Sequence, residues 1–261
     1  MKYLHNYSII LDDMDMKHYR IRPISALKYA QDSFARLTST KRLGAYDLHA
    51  LGMCWVVGEC NMEFEGSLPF WSEEITVEIW ISEITRLKIY SDFRILSKGK
   101  AFAKGNMCWI ILNENSRRPE KTDCFAEKFS VHTELAIGEH KKFPHYDTDK
   151  KIASTSYTTN LSDIDFNGHV NNKSYVNIAE KTVPAEFSER HRLKSISIKF
   201  NKETFLGDML TCTAYKCGMT DNYAHKITRN ETDVCDILSS WEEYNDRGTI
   251  LEADLKIKTE G

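Results

Sequence analysis

Ten residues from Asp163 to Asn172 hold Asp163, Asp165, Asn167, His169, Asn171 and Asn172. Carboxylates, an imidazole and side-chain amides in one short segment could hold a water, move a proton and orient one another. The same residue types also build a turn and cap a helix, with His169 then an ordinary surface or first-turn residue. Spacing alone does not choose between these readings.

Other chemistries are absent as motifs. The chain has no H-x-x-x-H metal spacing, no phosphate-cradling glycine loop and no G-x-S-x-G elbow, which argues against a metal, a cofactor or a serine triad. Seven cysteines, at 54, 60, 108, 124, 212, 217 and 235, form no C-x-x-C pair, so neither a disulfide framework nor a zinc site is indicated and a reducing cytoplasm is expected. A formal charge of -3 provides no field for nucleic acid. Local basic clusters occur at Lys41-Arg42, at Arg117-Arg118 and at Arg190-His191-Arg192 with Lys194; each is either solvated surface or a contact for an acidic partner. No segment approaches the length of an apolar membrane span, and the N-terminal patch is broken by acids, so no signal or transit segment is expected.

The elements that must position the cluster recur. Residues 25–38 place Leu27, Ala30, Phe34 and Leu37 at helical spacing, with Ser25 as N-cap and Pro23 just before it. Residues 170–184 set Tyr175, Ile178, Ala179 and Thr182 on one face and end at Pro184, which cannot continue the ladder. Four strand-like stretches follow the first helix, at 53–66, 73–84, 87–97 and 101–113. Four more follow the second, at 193–204, 208–217, 222–231 and 233–245. Aligning Phe64 with Phe200 brings the two series into phase. A long helix followed by antiparallel strands, occurring twice, packs most simply as each sheet wrapped around its own helix. That is an α+β chain of two tandem hot-dog domains, expected at 1–130 and 131–261, with 113–151 as the connecting segment and a polar tail after Asn245.

The run from Asp165 to Tyr175 reads D-x-N-x-H-V-N-N-x-x-Y and resembles the signature of the acyl-ACP thioesterases of plants and bacteria. The likeness extends to the helix containing SALKYAQDSF and to Phe200-Asn-Lys-Glu203 after the second helix. Thr204 stands where plant-type members usually carry Cys, which excludes a thiol nucleophile at that position and favours direct attack by water.

The resemblance implies a catalytic set of Asp165, Asn167, His169 and Glu203. A thioester carbonyl needs an activated water on one side, donors to its oxyanion on the other, and help for the departing thiolate. Glu203 would hold and deprotonate water, with His169 sharing that role or donating a hydrogen bond. Asn167 would position water or substrate, and Asp165 would fix the tautomer and orientation of His169 or Asn167. Asp165 could equally be base or nucleophile. Amides at Gly168, Val170 and Asn171 would face an oxyanion from a helix N-terminus. Asn171, Asn172 and Tyr175 suit helix start and packing. In the first copy neither Asp15 to Tyr19 nor Arg20 to Ile24 reproduces Asp-x-Asn-x-His, and Ser67 lies opposite Glu203, so one working site is expected. The first copy would shape an acyl pocket through Phe34, Met53, Trp55, Val57 and Phe64, all equally good core residues.

The implied partner is acyl carrier protein bearing a fatty acyl chain, docked on Arg190, Arg192, Lys194 and Lys199. No cofactor is expected, and two tandems could pair into a homodimer. Rival readings are an acyl-CoA thioesterase, a hydro-lyase on the same fold and a non-catalytic acyl-binding module.

Overall fold

The computed structural model describes residues 2–244 apart from 16–19, 141, 142, 149, 219, 220 and the Cys124 side chain. The polar tail from Asn245, with Arg247-Gly248, lies outside the described residues. The first half contains β1 (Tyr3–Ser8), the two-residue strands β2 (Met14–Asp15) and β3 (Arg20–Ile21), α1 (Pro23–Ser39) and α2 (Ala45–His49). These are followed by β4 (Met53–Phe64), β5 (Glu74–Ile84), β6 (Ile89–Ser97), β7 (Lys100–Asn113) and the short α3 (Asp123–Ala126). The second half repeats the plan with β8 (Lys151–Thr158), α4 (Asn172–Glu180), α5 (Ala185–Ser188), β9 (His191–Phe200), β10 (Met209–Cys217), β11 (Asn222–Arg229) and β12 (Thr232–Glu243).

Ten strands form one antiparallel sheet in the order β1-β5-β6-β7-β4-β9-β12-β11-β10-β8. Counted inward from either edge, the two halves have the same order. They meet where β4 pairs with β9, with Glu59 opposite Lys199, Asn61 opposite Ser197 and Glu63 opposite Ser195. The protein is therefore a tandem hot-dog joined edge to edge, with the strand that follows each helix at the seam. Gly105 on β7 allows close packing there, because a Cβ at that position would lie 2.2 Å from the Asn61 carbonyl oxygen.

Each helix buries the face its spacing predicts. Leu27, Ala30, Phe34 and Leu37 of α1 join the core beneath β5 and β6, and burying the Phe34 ring alone contributes about 2–3 kcal/mol. Ser25 is not the cap. The helix begins two residues earlier, with Pro23 at its first position, where a missing N–H costs nothing, and Ser25 is buried with its hydroxyl donating to the Asp13 carbonyl. In the second half Tyr175, Ile178 and Ala179 are buried against β10 to β12, but α4 stops at Glu180, four residues short of Pro184. Thr182, past the helix end, is buried and donates to the Ala179 carbonyl.

Besides the two-residue strands β2 and β3, two full strands, β1 and β8, are absent from the sequence expectation. Both are sheet edges, and their inward positions are carried by Tyr, His, Ala and Thr rather than by large aliphatic residues. Among the described residues no helix is long and apolar enough to cross a membrane.

Candidate active site

The segment before α4 is a closed loop held by its own polar groups. Asp163 is buried; its carboxylate accepts from the Asn160 amide at 2.9 Å and the Tyr157 hydroxyl at 2.7 Å, and its carbonyl accepts from the Asn171 amide at 2.7 Å. Asp165 Oδ1 accepts from the amides of Asn167 at 2.8 Å and His169 at 3.2 Å. Its own amide donates to the His169 carbonyl, and Gly168, at φ +78°, turns the chain between them. Asn171 then caps α4, its side chain accepting from the Lys173 amide at 3.0 Å.

Two expectations are corrected by these bonds. Asp165 does not hold the imidazole of His169; it fixes the backbone of the loop that carries His169. The amides proposed for an oxyanion are already committed: Gly168 donates to Asp165, Val170 to Thr204 and Asn171 to Asp163, all through carbonyl oxygens. The side-chain amides of Asn167 and Asn172 line the cleft instead and carry no hydrogen bond among the described residues.

Glu203 is brought in from the far end of β9. Val170 donates to the Thr204 carbonyl at 2.8 Å, and the Thr204 hydroxyl lies 2.7 Å from that of Tyr175 on α4. Thr204 is fully buried, and burial pushes the Tyr175 phenol up to about 12. This tie sets Glu203 beside the loop, with its Oε1 3.5 Å from His169 Nδ1, longer than a normal hydrogen bond. The edge of His169 meets Phe205 at 5.3 Å.

No spacing along the chain points to the group on the other side of Glu203. Arg117, from the first copy, donates through Nη2 to the same Oε1 and through Nη1 to Cys54 Sγ at 3.7 Å. The expected solvated cluster at Arg117-Arg118 is thus split, with Arg117 turned onto Glu203. Such a pair, about a third exposed, contributes only about 0–1 kcal/mol to stability, so its significance is geometric. The Cys54 thiol that comes close is buried, and burial raises its pKa, so it is no ready thiolate.

These groups lie over a cleft of about 620 Å³ between the two copies. Its floor comes from the first copy. The Phe34 ring stacks on Trp109 at 3.7 Å, and Trp55 packs edge-on to Phe34 at 5.1 Å. Both indole N–H groups are satisfied, Trp109 on Ser91 Oγ and Trp55 on the Leu43 carbonyl, so the aromatic surface is rigid. Val57 and Tyr175 also line it, as do Gln31 and Trp109, which the sequence did not single out. Met53 and Phe64 are not among its walls; Phe64 belongs to the core and Met53 packs against it. At the mouth, Tyr46 of the first copy meets Phe166 of the second edge-to-face at 4.8 Å.

None of Arg190, Arg192, Lys194 and Lys199 lines this cleft. Arg192 is committed to Glu242, with Nη2 at 2.7 Å, and to the Gly66 carbonyl. Lys199 lines a separate recess with Lys226, Asp233 and Asp236. Arg190 and Lys194 are exposed. The basic residue on the cleft wall is Lys202.

The first copy has the same frame without the same chemistry. Met14 pairs with Ile21 and Asp15 with Arg20, as Ile164 bridges Val170 in the second copy. Asp15 therefore stands in the place of Asp165, and Arg20 in that of His169. The position matching Asn167 falls outside the described residues. Because β4 and β9 end at Phe64 and Phe200, Ser67 takes the place of Glu203.

Fold and cleft define the class: a tandem hot-dog protein with one polar site set over an aromatic cavity at the seam. The chain belongs to the acyl-ACP thioesterase family, whose N-terminal domain model matches residues 1–127 and whose C-terminal domain model matches 146–243. It is 23% identical over 220 residues to the chloroplastic oleoyl-acyl carrier protein thioesterase 1 of Arabidopsis thaliana, covering 78% of this chain but 58% of that protein's length. Two solved structures share the fold. The acyl-ACP thioesterase of Bacteroides thetaiotaomicron matches with a TM-score of 0.81 and 19% identity over 92% of this chain and 98% of that one. The 12:0-ACP thioesterase of Umbellularia californica matches with a TM-score of 0.81 and 17% identity over 93% of this chain and 98% of that one.

Proposed function

We propose that this protein hydrolyses the thioester of a fatty acyl chain on acyl carrier protein, releasing the free fatty acid. The observation that carries the reading is the meeting of Glu203 and His169 over the Phe34–Trp109 floor. The acyl chain lies on the aromatic surface, with its carbonyl toward His169 and the amides of Asn167 and Asn172. Glu203 takes a proton from water, the resulting hydroxide oxygen bonds to the carbonyl carbon, and the C–S bond breaks as the oxyanion collapses. The thiolate recovers the proton from Glu203. Glu203 is preferred to Asp165 as the base because it stands beside His169, whereas the carboxylate of Asp165 holds the backbone amides of the loop.

Carrier protein is preferred over coenzyme A because both family domains and the named relatives are those of acyl carrier protein thioesterases. Lys202 on the cleft wall, with exposed Arg190 and Lys194, is the candidate docking charge for an acidic carrier. The buried or half-buried free cysteines fit a reducing cytoplasm. Single-turnover hydrolysis of matched acyl-ACP and acyl-CoA series by wild type, Glu203→Gln and His169→Ala tests the reading. Both variants should lose most of the rate on the carrier-bound chains. Wild-type rates in both would remove the site, and a preference for coenzyme A esters would replace the carrier.

A further inference from the structure

We infer that Arg117, contributed by the first copy, is a positioning residue for the hydrolytic base of the second; the inference rests on Glu203 being that base. Both partners of Glu203 address one oxygen. Arg117 Nη2 donates to Oε1, and His169 Nδ1 lies 3.5 Å from the same atom. Oε2 has no hydrogen-bond partner among the described residues, and Glu203 lines the cleft. A carboxylate pinned through one oxygen has its second oxygen held at a defined direction, which is what a base receiving a proton from a bound water requires. In the step that results, the water proton passes to Oε2, the hydroxide oxygen bonds to the carbonyl carbon, the C–S bond breaks, and the proton returns from Oε2 to the thiolate. Arg117 keeps its protons throughout.

The backbone around Arg117 is built to aim it. The turn after β7 is closed by Asn113, whose side chain accepts from the amides of Asn115 at 3.1 Å and Ser116 at 3.0 Å, and whose carbonyl accepts from the Arg117 amide at 2.9 Å. Arg117 itself sits at φ +54°, a left-handed conformation that glycine would adopt more easily. A long cationic side chain there is unfavourable locally, and its head is directed across the seam onto Glu203. Cys54 on β4, accepting from Nη1, steadies the other arm of the guanidinium. The working site is on this view shared by both copies, Arg117 coming from the first and Glu203 and His169 from the second.

The test compares Arg117→Met, Arg117→Lys and Arg117→Gly with Glu203→Gln and the double variant Arg117→Met/Glu203→Gln, all in the full chain with acyl-ACP as substrate. Arg117→Met should lower kcat by about 10- to 100-fold with KM nearly unchanged, since a misplaced catalytic group costs rate rather than binding. Arg117→Lys should recover part of the loss, and free guanidinium should partly rescue Arg117→Gly. In the Glu203→Gln background the Arg117→Met change should cost nothing more. Arg117→Gly should melt close to wild type, which separates positioning from folding. Full activity in Glu203→Gln would fail the underlying reading on its own. With Glu203→Gln inactive, any of three results would overturn the role of Arg117: a kcat within twofold of wild type in Arg117→Met, a rise in KM alone, or an equal loss in both backgrounds.

Discussion

The hydroxyl of Thr204 lies 2.7 Å from that of Tyr175, both buried, and this bond joins the helix that follows the Asp165–His169 loop to the residue after Glu203. Thr204 stands where the resemblance places the cysteine of plant-type members, and its hydroxyl is taken up by this structural bond. Thr204→Val would leave the phenol of Tyr175 unsatisfied in the core. The expected cost is about 1–3 kcal/mol, together with a fall in kcat as Glu203 drifts from His169. Thermal unfolding and steady-state kinetics check it; a variant as stable and as active as wild type would show that the bond positions nothing.

Asp165 and Glu203 differ in what their oxygens already do, and that separates their variants. Asn in place of Asp165 keeps an acceptor for the Asn167 and His169 amides, so Asp165→Asn should retain at least about a tenth of wild-type kcat. On the proposed mechanism Glu203→Gln removes the base and should lose about 10²- to 10⁴-fold. Equal losses in the two variants, measured at a single pH with saturating substrate, would reassign the base to Asp165.

Val57 lines the cleft beside the aromatic floor. Enlarging it to Trp should shorten the preferred acyl chain, at a cost of about 1–3 kcal/mol in stability if the cleft cannot absorb the whole ring. Hydrolysis rates across a chain-length series decide the matter, and an unchanged profile would leave Val57 as core alone.

His225 on β11 gives the fold a built-in acid sensitivity. It is buried between the Thr182 hydroxyl at 3.0 Å and that of Ser239 at 3.3 Å, and burial lowers its pKa from 6.5 to about 4. The folded value lies below the unfolded one, so the unfolded chain binds more protons between those limits. Stability from this group is complete above pH 6.5 and falls by up to about 3 kcal/mol as pH drops toward 4. Urea unfolding at pH 7 and pH 5 should show a smaller pH dependence in His225→Gln than in wild type; the same slope in both would clear His225 of the effect.

Much of the fold was legible because it rests on local periodicity. Leu27, Ala30, Phe34 and Leu37 announce a buried helical face three and four residues at a time, and the eight inner strands alternate or run apolar within their own windows. The edge strands were not legible, since Tyr3, His5 and Tyr7 face inward with side chains that read as polar or mixed. Ser25 looked like a cap because its type suits one, but Pro23 at the first helical position decided the start.

The sequence by itself determined the loop from Asp165 to His169, the identity of Thr204 and the doubling of one plan, since each depends on residue types at short spacing. Only the tertiary structure decided that the amides of Gly168, Val170 and Asn171 are already bonded and that Asp165 holds backbone rather than the imidazole. It also decided that Arg20 stands where His169 would be, and that Arg117 meets Glu203 across 86 residues of chain. That last contact follows from the antiparallel pairing of β4 with β9, which brings the turn after β7 to the end of β9. A register between distant strands is a property of their packing, and no spacing along the chain encodes it.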